Sequence, residues 1–116
     1  MTITVYGAGA IGGTTGAALA RAGHDVLLVD SAVAHVEAIN AAGITIERRD
    51  GTVTARVPAI TPDRLGRDLD LVLLAVKSHH TAEVLRDLAP RLASGGTIVS
   101  LQNGLSEEQI ARAVGP

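Results

Sequence analysis

Thr2-Ile3-Thr4-Val5-Tyr6-Gly7-Ala8-Gly9-Ala10-Ile11-Gly12 places a short apolar run before a G-x-G-x-x-G, and an alanine-rich segment with a helical pattern follows. A strand that turns through glycines into a helix gives each glycine its own task. Gly7 makes a tight turn, Gly9 allows close backbone approach to a pyrophosphate, and Gly12 allows close helix-to-strand packing. The helix directs its unpaired amides and the positive end of its dipole at the phosphates. The expectation is a dinucleotide-binding α/β fold in which Gly7, Ala8, Gly9, Ala10, Ile11 and Gly12 form the cofactor loop.

Outward from that loop, the spacing predicts a helix from about Ile11 to Ala22 with Ile11, Thr15, Ala18, Leu19 and Ala22 on its inner face and Gly23 as its C-cap. Asp25 to Asp30 reads as a strand buried on both faces. Ser31 can cap a helix to about Ala42 with Val33, Val36 and Ile39 inward. Ile44–Arg49 and Thr52–Val57 alternate in polarity and flank Asp50-Gly51, the dipeptide preferred by a two-residue type I′ hairpin. Pro58 and Pro62 break the pattern. Asp70–Val76 is the most apolar strand candidate and is expected near the sheet centre. Ser78 can cap a helix reaching Leu92, Ser94-Gly95-Gly96 turns the chain into a strand over Thr97–Leu101, and a short helix starts near Ser106. Strands alternating with helices predict a Rossmann-like, doubly wound, mainly parallel sheet of order 3-2-1-4-5 with an added hairpin.

Composition narrows the function classes. A chain of 116 residues is the size of one domain. With no Phe or Trp and one Tyr, its core must be built from Val, Ile, Leu and Ala. A net charge of −2 with scattered basic residues argues against a nucleic-acid partner. No apolar run approaches the ~20 residues that span a bilayer, so no membrane association is expected. Met1-Thr2-Ile3 runs directly into the first strand, so no signal peptide is expected and the location is read as cytoplasmic. The absence of cysteine excludes disulfides and thiolate metal sites.

Several residues are placed for chemistry. Asp30 ends the second strand eighteen positions after Gly12, where an acid accepts hydrogen bonds from ribose hydroxyls; the competing role is a helix N-cap. A carboxylate there repels a 2′-phosphate, which favours NAD over NADP, although Arg48, Arg49 or Arg56 on the hairpin could fold back toward the adenosine. Lys77 follows the apolar strand at the carboxyl edge, either as a cofactor or substrate contact or as a surface lysine. Gln102-Asn103-Gly104 follows the next strand, either as a carbonyl-binding site or as a plain turn. His79 and His80 point about a hundred degrees apart on a helix and lack further ligands, so no metal site is expected. Glu107-Glu108 suits the start of the last helix.

Gly7-Ala8-Gly9-Ala10-Ile11-Gly12-Gly13, Gly23-His24-Asp25-Val26, Ala75-Val76-Lys77-Ser78 and Leu101-Gln102-Asn103-Gly104-Leu105 together resemble the amino-terminal part of the ketopantoate reductase family. The resemblance implies that Gly7 to Gly12 hold the pyrophosphate, that Lys77 contacts the cofactor, and that Asn103 lies between nicotinamide and substrate. It implies hydride transfer from NAD(P)H, usually NADPH, to a 2-keto acid such as 2-dehydropantoate, on the route to pantothenate. Asp30-Ser31 departs from the basic residue that many members place for the 2′-phosphate. The family's general-acid lysine and substrate-binding carboxylate belong to a carboxy-terminal helical domain. The expectation is therefore a nucleotide-binding domain over residues 1–116, truncated at its C-terminal end, with no catalytic residue of its own and little activity alone. A rival from another class is a freestanding NAD-sensing module of the potassium-transport type, which accounts for the short length but not for Lys77 or Asn103. A third expectation is self-association through an exposed sheet edge at Thr97–Leu101.

Overall fold

The computed structural model of the protein describes residues 1–76 and 81–101, with Arg48 described by its backbone. Its strands are β1 (Thr2–Tyr6), β2 (Asp25–Val29), β3 (Ile44–Arg48), β4 (Gly51–Ala55), β5 (Ala59–Ile60), β6 (Leu69–Leu74) and β7 (Leu92–Ser100). Its helices are α1 (Ala10–Arg21), α2 (Val33–Ala42) and α3 (Thr81–Leu88), with 3-10 turns at Pro62–Arg64 and Ala89–Arg91. Five strands form a parallel sheet in the order β5-β2-β1-β6-β7, and β3 pairs with β4 as a separate antiparallel hairpin.

The alternation along each central strand divides the core in two, because successive side chains leave opposite faces. Ile3, Val5, Val26 and Leu28 pack on one face with Ala17 of α1 and Val36 and Ile39 of α2. Tyr6, Val29, Val72 and Leu74 pack on the other with Leu85 and Leu88 of α3. Helices therefore cover both faces, as a doubly wound sheet requires. Leu28 is completely buried, and such a side chain contributes about 2 kcal/mol from burial alone. Among the described residues no helix is long and apolar enough to cross a membrane.

Several local expectations change. The inner face of α1 is Gly12, Gly13, Gly16 and Ala17, while Ile11 is 58% exposed. The helix lies so close to the sheet that a Cβ on Gly16 would come within 2.6 Å of Leu28 Cδ2. Side-chain size, which periodicity ignores, decides that face. On α2, Val33 is exposed and the N-cap is Ala32, with no side-chain cap. Ser31 therefore does not cap it.

In the hairpin, Arg48 pairs with Gly51, so the connecting residues are Arg49 and Asp50 rather than Asp50 and Gly51. The expected order 3-2-1-4-5 holds, with Ala59–Ile60 in its third position, paired with β2 between the two prolines, and the hairpin standing apart. Asn40 supplies what a neighbouring strand would supply to Ala59. Its side-chain amide donates to the Ala59 carbonyl, and its Oδ1 accepts from the Ala59 amide, each at 2.9 Å.

α3 stops at Leu88, and Pro90, which has no N–H, sits in the 3-10 turn that follows. Leu92 thus opens β7 instead of closing a helix. β7 advances from Leu92 to Thr97 while β6 advances from Leu69 to Leu71. Ser94-Gly95-Gly96 is absorbed as an irregularity within the strand rather than as a turn before it. The expected helix near Ser106 and the expected cap at Ser78 lie outside the described residues.

Candidate functional site

The parallel strands end together at the carboxyl edge, and the chain leaves β1 there through the glycine loop. Gly7 donates its amide to the Val29 carbonyl at 2.7 Å and has φ of 102°. A Cβ on it would lie 2.9 Å from the Ala75 carbonyl carbon and oxygen. On Gly12 a Cβ would lie 1.8 Å from the Gly7 oxygen. The fold itself requires both glycines, in the turning and packing roles read from the motif.

Gly9 differs. Its φ of −74° and ψ of −159° suit any L-residue, and nothing lies within 4 Å of where its Cβ would stand. Among the described residues no contact accounts for glycine here. The space beside Gly9 at the start of α1 is open, and Gly9, Ala10 and Ile11 are all exposed. The first amides of a helix have no partners within it, so this open space borders hydrogen-bond donors in an electropositive setting.

Asp30, the residue after β2, is tied into the loop. Its Oδ2 accepts from the Ala8 amide and its Oδ1 from the Ala32 amide, each at 2.9 Å. Asp30 thus ties the glycine loop to the residue that begins α2 without being the N-cap, which is Ala32, and each oxygen retains acceptor capacity. A cleft of about 220 Å³ opens beside it, lined by Gly7, Ser31 and Val76 together with Glu83 and Val84 of α3. Lys77, His79, His80 and Asn103 lie outside the described residues.

Among the described residues that line this cleft the charged groups are Asp30 and Glu83, both acids. Arg56, just after β4, donates to the Ala41 carbonyl at 3.0 Å, near the far end of α2. Tyr6, buried at the cleft floor, has its phenol pushed above the usual range by desolvation, with Asp87 adding to the effect. The ring thus stays a neutral donor.

Sequence reasoning missed Glu83, Val84 and His35. The signal for the first two was their place in the first turns of the helix after β6, at the same sheet edge as Asp30. His35, in the first turn of α2, places its Nε2 2.7 Å from the Ala8 carbonyl oxygen. It also borders a second concavity of about 280 Å³ beside Gly9, Gly13 and Thr14.

The glycine loop, the acid after β2 and the cleft beside it meet at one edge of the sheet, and the comparisons with known proteins bear on the fold that carries them. A family model described as ketopantoate reductase PanE/ApbA matches residues 3–116. The chain is 42% identical over 113 residues to a 2-dehydropantoate 2-reductase of Pyrococcus abyssi, covering 93% of this chain and 35% of that protein. It is 40% identical over 106 residues to one of Mesorhizobium japonicum, covering 90% and 32%. The chain thus spans about a third of the length of these curated relatives.

Among solved structures, a PanE/ApbA family ketopantoate reductase from Ralstonia eutropha JMP134 superimposes with a TM-score of 0.82 at 36% identity, covering 98% of this chain and 37% of that one. D-mandelate dehydrogenase in a ternary structure with NADH and anilino(oxo)acetate gives a TM-score of 0.87 at 28% identity, covering 100% and 38%. These likenesses fall on the reductase side of the two functional classes weighed from the sequence. With its family model matched from residue 3 to residue 116, this chain belongs to the ketopantoate reductase family.

Proposed function

We propose that this chain is the dinucleotide-binding domain of a ketopantoate reductase-type oxidoreductase, working in the cytoplasm on a small 2-keto acid such as 2-dehydropantoate. The observation that carries this is the open space at Gly9, a glycine that no contact among the described residues requires, beside the start of α1. The residues present fit NAD(P)H: Gly7 to Gly12 would hold the pyrophosphate, Asp30 and Ser31 the adenosine ribose, and Lys77 and Asn103 the nicotinamide end, with Asn103 also facing substrate. When bound, the cofactor supplies the hydride. The chain's own task is to bind and orient it. We place the proton donor to the ketone oxygen in the part of the relatives that this chain does not span.

NADH is the preferred form in this proposal. Asp30 and Glu83, the charged groups among the described lining residues, are both acids, and Arg56, just after β4, is engaged at Ala41. A 2′-phosphate beside Asp30 would meet like charge. Titrating the chain with NADH and NADPH, followed by the cofactors' fluorescence, tests this preference. Asp30→Asn removes the charge while keeping one acceptor oxygen, and is expected to raise NADPH affinity relative to NADH. Tighter binding of NADPH than NADH by the unaltered chain would overturn the preference.

A further inference from the structure

We propose that His35 is a positioning residue for the cofactor, acting through the Ala8 peptide to fix the direction of the Gly9 amide. This inference rests on the dinucleotide-binding role proposed above. Ala8 is 3% exposed. Its amide donates to Asp30 Oδ2 at 2.9 Å, and its carbonyl oxygen lies 2.7 Å from His35 Nε2. A carbonyl oxygen only accepts, so that Nε2 carries the proton. Two consecutive peptides are thereby held from the α2 side: Gly7–Ala8 by Asp30 and Ala8–Gly9 by His35.

The second of these bears on binding. The peptide is trans and planar, so orienting the Ala8 carbonyl orients the Gly9 N–H in the opposite sense. Among the described residues no acceptor takes the Gly9 amide, and the space beside Gly9 is open. Asp30 by itself bonds only the Gly7–Ala8 peptide and leaves the Ala8 carbonyl without a side-chain partner. His35 holds that carbonyl before a ligand arrives, so less ordering remains to be done on binding. His35 is itself exposed and in the first turn of α2, and its contribution to the core is small. Its effect is therefore expected in affinity rather than in stability.

The test uses the 116-residue chain with NADH as the probe. His35→Leu keeps apolar bulk but cannot donate; His35→Gln restores an amide donor. We expect His35→Leu to weaken NADH binding by about fivefold, the range of one lost hydrogen bond. His35→Gln should recover most of that loss, with thermal midpoints close to that of the unaltered chain. Nitrogen-15 NMR of the unaltered chain at alkaline pH should show the Nε2–H tautomer of His35.

An Nδ1–H tautomer overturns the proposal without recourse to any variant, so a variant that fails to fold does not shelter it. NADH binding by His35→Leu equal to that of the unaltered chain overturns it too, as does a loss that His35→Gln fails to relieve. If the unaltered chain binds no NADH, the proposed function fails and this inference goes with it. Binding by the unaltered chain with no effect of His35→Leu removes the inference alone.

Discussion

At the scale of single residues, the three motif glycines are held by different constraints, and this separates folding from function. Gly7 and Gly12 are enclosed by Ala75 and by the loop's own backbone, whereas Gly9 faces open space. Gly12→Ala would press its Cβ against the Gly7 oxygen, an atom that cannot move without opening the loop. We expect a loss of about 3 kcal/mol or more in a denaturant titration. Tyr6 offers a second residue-scale prediction. Its phenol titrates above the usual 10.0 because burial disfavours the phenolate. A group with a raised folded-state pKa contributes stability that is complete below its unfolded value and is lost as pH rises through the folded one. Stability should therefore fall as pH climbs above about 10, and Tyr6→Phe should flatten that fall in thermal melts recorded across the alkaline range. As the single tyrosine in the chain, its phenolate absorbance reports the ionisation directly.

At the scale of elements, the sheet edge at β5 depends on one side chain. Ala59–Ile60 is a two-residue strand with a proline on either flank, and Asn40 satisfies both backbone groups of Ala59. Asn40→Ala is expected to cost about 1–3 kcal/mol by leaving a partly buried donor and acceptor unpaired, read as a lowered denaturation midpoint. Neither β5 nor this pairing was legible in the sequence, because two residues carry no periodicity and a side chain that substitutes for a strand leaves no local pattern. The long apolar runs of β1, β2 and β6 were legible, since strands buried on both faces need little but Val, Ile and Leu. The inner face of α1 was misread for the opposite reason: its packing is made by what the glycines lack. In the site, the glycine loop and Asp30 follow from spacing along the chain. Glu83 and His35 do not, since each joins the site from a different helix.

At the scale of the whole molecule, helices on both faces of a parallel sheet bring the glycine loop, the residue after β2 and the start of α3 to one carboxyl edge. Family membership and fold similarity both run along almost the entire chain, while the curated relatives are about three times as long. The central claim is that this edge is a cofactor seat whose open point is Gly9. It is tested most directly by titrating the chain and its Gly9→Ala variant with NADH while recording thermal unfolding of both. The account predicts saturable binding by the unaltered chain and a loss of about tenfold or more in the variant, equivalent to about 1.4 kcal/mol. It also predicts an unfolding midpoint for the variant close to that of the unaltered chain, because Ala fits the backbone conformation there and the N-cap preference for Gly over Ala is worth only about 1 kcal/mol. Equal NADH affinity in the two proteins, or no binding by the unaltered chain, would contradict it.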